Sequence, residues 1–564
     1  MFPDTSEGYG PVSAHREKFT GCRPAPLWIL RAIAKRCRSW VGLLARVLLA
    51  GGCMVGPDFV RPDAPMEEGW IKKEDPRIKS GPADYSKWWT VFDDPALNTI
   101  IETAYQQNLD LQIAGLRILE ARAQLGIATG QPYPQTQQVS ADAKANGLSE
   151  NAINGKGGDR FFHEYQMGFD AAWELDFWGR FRRGVESADA SLYASIANYD
   201  DILVALTAEV ARTYVLIRTF EKRLAVAREN VKNQTESLRI AEARFEAGAA
   251  SKLDVAQATA LLKETQVSIP GLKVSLRQAQ NGLATLLGIL PTDVRDMLGK
   301  STPIPTAPAE VAVGIPAELL RRRPDIRMAE LQAAAQSARI GIAKSELYPR
   351  FSLKGSIGLQ SSEKGGVLSN NAHFSGLFNS SSVAYFVGPT LQWPILNYGR
   401  LKNNVRVQDA RFQQLVVNYQ NTVLQAAQEV EDAMVGFLQT QEQTRLLSES
   451  VVQYQLSVDL SLIQYREGLA SYQRVVDAQR YLTQQQDNLA STTRSVAVNL
   501  VAMYKALGGG WELRQGKDFV SGKTHEEMRK RTDWGNLLPH EDLHEDLEPP
   551  PAGQVQPLFN MPDW

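Results

Sequence analysis

Arg244-Phe245-Glu246-Ala247-Gly248-Ala249-Ala250-Ser251 returns 220 residues later as Gln464-Tyr465-Arg466-Glu467-Gly468-Leu469-Ala470-Ser471. Phe177-Trp178-Gly179-Arg180 is answered at the same separation by Asn397-Tyr398-Gly399-Arg400, and Leu287-Gly288 by Leu507-Gly508. One offset held over 110 residues marks an internal duplication. Tyr133-Pro134 and Tyr348-Pro349 also correspond, but at an offset of 215, so the segment between is five residues longer in the second copy.

The first stretch lies at the end of a long periodic run. Apolar or small positions fall at Ala188, Leu192, Ile196, Tyr199, Leu203, Leu206, Val210, Tyr214, Ile217, Phe220 and Leu224. Steps of three and four put them on one stripe of a helix. No proline interrupts the chain between Gly179 and Ile269. Sixty-odd residues at about 1.5 Å each give roughly 100 Å of helix, too long for a compact globule and suited to an extended coiled-coil assembly. Gly248 and Gly468 read as left-handed C-terminal caps, and Ser251 and Ser471 as N-caps of the following helices. Each copy therefore holds a helical hairpin with its tip at Gly248 or Gly468. A first helix is expected near 95–130 and again near 316–347. The proline-rich stretch from Pro303 to Pro316 joins the copies.

Between helices the period changes to two. In Tyr165–Phe177 the odd positions are Tyr, Met, Phe, Ala, Trp, Leu and Phe, and the even positions are mostly polar. Val139–Ala145, Phe351–Gln360 and Tyr385–Ile395 alternate in the same way. Half-buried strands of a soluble sheet fit this pattern. An aromatic-rich face of about ten residues per strand also fits a membrane β-barrel. Four strands cannot enclose a water-filled pore, so several subunits would have to contribute.

The remainder narrows the function. The chain has 564 residues, 43% hydrophobic and 22% charged, with a net charge of −2, so no basic field points to nucleic acid. Its three cysteines, Cys22, Cys37 and Cys53, precede everything else, which leaves no disulfide or thiolate metal site in the later chain. Residues 1–52 read as an export leader, with basic residues Lys18 to Arg38, an apolar Trp40–Ala50 broken by Arg46, then Gly51-Gly52. Cys53 directly after the small residues predicts lipid attachment there. No histidine falls in the helical hairpins, and Gly155-Lys156-Gly157-Gly158 lacks P-loop spacing, so no enzyme is expected and no cofactor beyond the lipid on Cys53. Residues 512–564, rich in Glu, Asp and Pro without a stripe, read as a mostly disordered tail.

At the tips, Asp254 lies three residues after Ser251, a capping position favoured by the helix dipole. Asp477 lies six residues after Ser471, beyond the capping zone. Repeated around a symmetry axis, such carboxylates would repel and raise each other's pKa, so Asp477 is a candidate for a gate at a pore mouth.

These features together resemble the outer-membrane efflux family typified by TolC and OprM. Cys53-Met54-Val55-Gly56-Pro57-Asp58-Phe59-Val60-Arg61-Pro62 resembles the start of its mature lipoproteins. Leu319-Leu320-Arg321-Arg322-Arg323-Pro324-Asp325-Ile326-Arg327 resembles the signature opening its second repeat. Tyr465–Ser471 and Val475-Val476-Asp477-Ala478-Gln479 resemble its second hairpin tip and the segment after it. The resemblance covers about Cys53 to Trp511. It implies a mostly α fold with a small membrane β contribution: a homotrimer with four strands per subunit forming a twelve-stranded barrel, continued by a periplasmic α-barrel. It divides the chain into a lipoprotein segment at 53–94, repeat one at 95–295, a linker at 296–315 and repeat two at 316–511. It further implies a lipid-anchored outer-membrane duct for drugs or other small molecules. Its tips (Gly248, Ala249, Ala250, Ser251, Gly468, Leu469, Ala470 and Ser471) would dock on a periplasmic adaptor linked to an inner-membrane pump of the RND type. Asp477 and Asp254 match the family's tip acids, whereas Arg474 stands where some members carry a second aspartate, which argues against an all-aspartate gate. A type I protein-secretion channel and a non-conducting periplasmic scaffold are the competing readings.

Overall fold

The computed structural model describes residues 54–64, 69–71, 75–79, 85–151, 160–291, 294–313, 322–364 and 374–538. Cys53, the leader and the chain beyond 538 lie outside these residues. In chain order the elements are β1 (Ile78–Lys79), α1 (Pro95–Gln107), α2 (Leu109–Gly130), β2 (Thr136–Gly147), β3 (Phe161–Leu175), α3 (Arg180–Glu246), α4 (Lys252–Leu286) and α5 (Val294–Leu298). Then follow β4 (Val311–Ala312), α6 (Pro324–Ser345), β5 (Arg350–Lys364), β6 (Val383–Gln392), α7 (Arg400–Arg466), α8 (Tyr472–Ala506) and α9 (Gly522–Arg531).

The duplication is carried into the fold without a shift. α3 and α7 each have 67 residues, α4 and α8 each 35, and both pairs sit 220 residues apart. Pro270 lies inside α4 without ending it. The long helices pack side by side as a wall. In the half toward the tips the order is α4, α3, α8, α7; in the half toward the strands it is α2, α3, α6, α7. Thus α2 stands on the end of α4, and α6 on the end of α8.

Both joints are made by equivalent residues. The expected helix over 95–130 is broken at Asn108, whose extended backbone caps α2. Its side-chain oxygen accepts from the Leu111 N–H at 2.8 Å, and its amide donates to the carbonyl of Leu286, the last residue of α4, at 2.9 Å. In the second copy Arg323 donates to the carbonyl of Ala506, the last residue of α8, at 2.9 Å. Arg323 also pairs with Asp325 and Glu429, each at 2.8 Å. Asn108 and Arg323 are 215 apart, the offset of the strand-side repeat. Asp201 lies near the second joint, and burial, reinforced by the Asp325 carboxylate, pushes its pKa up to about 6.

The strands form one antiparallel sheet in the order β2, β3, β5, β6. Register puts Val139, Phe169, Ile357 and Tyr385 in one row, and Ala141, Met167, Leu359 and Val383 in the next. The opposite face carries Asp142, Gln166 and Gln360 in a row. The apolar rows are open, with Tyr385 77% exposed. β3 ends at Leu175 and β6 at Gln392, short of the expected Phe177 and Ile395; Pro394 has no N–H to offer a ladder. Trp173 and Trp393, 220 apart, donate to the carbonyls of Pro132 and Leu347 at 2.8 and 3.1 Å. At the foot of the sheet, the Val55 N–H donates to the Trp178 carbonyl at 3.1 Å. Arg183, buried to 1% exposure, pairs with Asp58 and Glu186, each at 2.7 Å.

The main core lies at mid-wall, where Trp88, Leu97, Ile100, Tyr199, Tyr214, Phe437 and Leu500 pack together. Here the expectation of a disordered tail from 512 is corrected for residues 512–538. Arg514 pairs bidentately with Asp200, which has no exposed surface. Phe519 meets Tyr199 edge-on at 5.2 Å, and Val520, Met528 and Leu538 bury against Leu119. The segment is polar overall but spends its few apolar residues on one face of the wall.

Candidate functional site: the hairpin tips

Each tip turns in the same way. Gly248 and Gly468 take φ of 70° and 79°, a left-handed conformation that side chains resist. The Ala249 and Leu469 N–H groups reach back to the carbonyls of Arg244 and Gln464, each at 2.8 Å. Ala249 and Leu469 are exposed beyond the turn, Leu469 at 79%.

The copies then diverge. Ser251 receives the Asp254 N–H at 3.4 Å and donates its hydroxyl to Asp254 Oδ1 at 2.8 Å. Ser471 has the backbone of a cap, but its side chain makes no such bond. Arg474 occupies the position of Asp254 in the second copy, exposed and without an ion pair among the described residues.

The second oxygen of Asp254 accepts the Tyr465 hydroxyl at 3.2 Å, a bond from the last turn of α7 to the first of α4. Tyr465 is 2% exposed, set edge-on to Tyr472 at 4.9 Å. Burial, with Asp254 adding to it, pushes its pKa up to about 12. The hydroxyl is therefore a proton donor at any physiological pH. The Arg244 guanidinium lies 4.9 Å over the same ring and donates to the carbonyls of Arg466 and Ala249. A cation at the end of α7 is favoured by its dipole. Arg244, Asp254 and Tyr465 thus tie the two tips together over a small core of Ala241, Ala258, Leu261, Tyr472, Val475 and Val476.

Asp477 is half-buried one turn above. Its Oδ1 accepts from Gln473 Nε2 at 2.8 Å, and Gln473 Oε1 accepts from Gln257 at 2.9 Å. Gln257 is the first-copy counterpart of Asp477, so Gln473 joins the two equivalent positions. Further up, α3 and α8 are fastened by Gln479 to Ser237 at 2.6 Å, Asn230 to Gln486 at 2.9 Å, and a bidentate Arg223–Asp487 pair at 2.6 and 2.9 Å.

The structure brings Asp254 and Asp477 into the contact zone between the hairpins and leaves Arg474 outside it. Sequence reasoning missed Arg244 and Tyr465. Their signal lay in the aligned copies, which face Arg244 with Gln464 and Tyr465 with Phe245. Among the described residues, no group of three His, Cys, Asp or Glu converges as a metal site.

The family model for outer membrane efflux proteins matches residues 100–289 and 315–509. Nodulation protein T of Rhizobium leguminosarum bv. viciae is 33% identical over 473 residues, covering 82% of this chain and 92% of that protein. The solvent efflux pump outer membrane protein SrpC of Pseudomonas putida is 33% identical over 478 residues, covering 83% and 98%. Among solved structures, the outer-membrane channel OprN aligns with a TM-score of 0.75 and 32% identity, over 82% of this chain and 100% of that one. The chain belongs to the outer membrane efflux protein family, and its place is the outer membrane.

Proposed function

We propose that three copies of this chain close into a duct that carries small molecules from the periplasm through the outer membrane, with its gate at the hairpin tips. The observation that carries this reading is that sheet and wall both have open edges and run in the same order. β2 and β6 leave a row of backbone groups unpaired at each edge of an apolar-faced sheet. In lipid each such group costs several kcal/mol, and closure removes the edges. The wall ends in α2 and α4 on one side and α7 on the other. α7 exposes Leu456, Leu460 and Ile463, and α4 exposes Leu253, Val267 and Val274. One head-to-tail contact pairs β6 with β2 and α7 with α4, and repetition of that contact closes a ring. About eight strands leave an interior that side chains fill, so two copies give no pore and three give a twelve-stranded one.

Energy for transport comes from partners: a periplasmic adaptor seated on the exposed tips around Gly248–Ser251 and Gly468–Ser471, and an inner-membrane pump of the RND type. The Tyr465–Asp254 bond and the Gln257–Gln473–Asp477 chain hold the mouth closed. Lipid on Cys53 suits a chain whose next residues, Val55 and Gly56, are held beside Trp178 and Arg183 at the foot of the sheet. Planar-bilayer recording from the purified oligomer tests the duct. Stepwise channel currents are expected, and their absence at every protein concentration would sink the proposal. Palmitate labelling that persists in Cys53→Ser would refute lipidation there.

A further inference from the structure

A cavity of about 460 Å³ crosses the strand-side half of the wall, away from the tips. α2 contributes Arg117, α3 contributes Ser195 and Asn198, and α6 contributes Gln332, Gln336 and Arg339. The lining sets these polar side chains among apolar Ala194, Met328, Ala335 and Leu415, and its charges have one sign. Arg339 Nε donates to the Ser187 hydroxyl at 3.2 Å, and its Nη1 meets Gln336 Oε1 at 3.5 Å. Arg117 is exposed. Among the described residues neither guanidinium forms an ion pair. Two nearby acids are otherwise engaged. Glu120, one turn from Arg117, accepts from Gln124 at 3.1 Å, and Glu346, two turns from Arg339, faces Arg350 at 4.0 Å.

The groove lies on one definite side of the wall. The segment 54–64 runs along the other side, where Gly56 abuts Gly341, Arg61 pairs with Glu330 at 2.6 Å, and Gln420 donates to the Asp63 carbonyl at 3.2 Å. Glu330 and Gly341, three turns apart, share one face of α6. Gln332 and Arg339, two turns apart, share the roughly opposite face. The segment 54–64 leads back to Cys53, whose lipid would place that side outward. The groove then opens into the duct, and three subunits gather six guanidiniums around it.

We propose that this groove is a binding station for the anionic group of a cargo molecule: a carboxylate, phosphate or sulfonate. The inference rests on the duct reading above and adds a preferred charge to it. Guanidinium is the side chain that holds such groups bidentately. Low-dielectric walls carrying one sign of charge concentrate the opposite ion. The amides of Asn198 and Gln332, which form no hydrogen bond among the described residues, would supply further donors.

The test records the full-length oligomer in planar bilayers under a KCl gradient, with mellitate, a compact polycarboxylate, as the probe. Wild-type channels are expected to be blocked by mellitate. R117Q/R339Q should lose that block severalfold and shift severalfold toward cation permeability. R117K/R339K should keep the permeability ratio but lose part of the block, because lysine keeps the charge and not the fork. If the double glutamine variant does not assemble, R117Q alone serves, since Arg117 is exposed and unpaired. Currents with unchanged permeability ratio and unchanged block in the glutamine variants would overturn this inference alone. No current from the wild type would overturn it together with the duct reading.

Discussion

At the scale of single residues the tip depends on three side chains that the duplication does not share. Asp254 is fixed by Ser251 on one oxygen and holds Tyr465 on the other. Tyr465→Phe removes only the hydroxyl, at a cost of about 1 kcal/mol per subunit. Closed-state conductance should rise, and an unchanged closed state would count against the latch. Phe245→Tyr, at the equivalent place in the first copy, should leave the closed state as it is, because Phe245 is exposed and its repeat partner for Asp254 is Arg474. The cap at Asp254 was legible in the sequence because capping is local. Tyr465 was not, because its partner lies 211 residues away on the other hairpin. Asp201 gives a separate prediction. Its folded pKa, raised to about 6 from 3.8, exceeds the unfolded value. The fold then binds the proton more tightly, and stability is lost as pH rises from about 4 to about 6. Asp201→Asn should stabilise the protein by on the order of 2 kcal/mol at pH 8 and by nothing near pH 3.5. Denaturant unfolding at the two pH values measures this, and an equal gain at both would refute it.

At the scale of elements, the long helices were legible because their stripe runs without a break and their ends carry glycine and serine in order. The strands were legible from their alternation, although β6 stops short of Pro394; their pairing order was not read from the sequence. The two end-to-end joints were not legible. A helix meeting another helix end-on leaves no periodic trace, and the only sign was that Asn108 and Arg323 share the 215 offset. Asn108→Ala removes both the cap of α2 and the donor to Leu286, and is expected to cost about 1–2 kcal/mol. Arg323→Ala leaves Asp325 and Glu429 without their shared cation and should cost more, about 3 kcal/mol. Thermal unfolding of the two variants ranks them. The reverse order would show that the arginine joint is not the stronger one.

At the scale of the whole molecule, the sheet and the helical wall each end in open edges, and the segment after Gly510 braces the middle of the wall. That segment was misread because its composition is polar and its helix α9, at ten residues, is too short to show a stripe. A chain ending at Gly510 loses Arg514 and leaves Asp200 buried without its partner, at a cost of about 3–5 kcal/mol. It should yield far less heat-resistant oligomer on gels. Arg514→Lys, which keeps the charge without the fork, should fall between the truncated and full-length chains. Full yield from the truncated chain would show that the brace is dispensable.

The two joints have a mechanical consequence. α3 and α7 run unbroken from the sheet to the tips, whereas α2 on α4 and α6 on α8 are separate helices spliced end to end, with a side-chain hydrogen bond across each joint. In the proposed duct, half of the lengthwise fibres would therefore be continuous and half could slip. Torque applied at the tips would be relieved as shear at the splices, at the level of Asn108 and Arg323, rather than as bending carried up into the sheet. In the proposed duct the mouth would then dilate while the sheet end stays still.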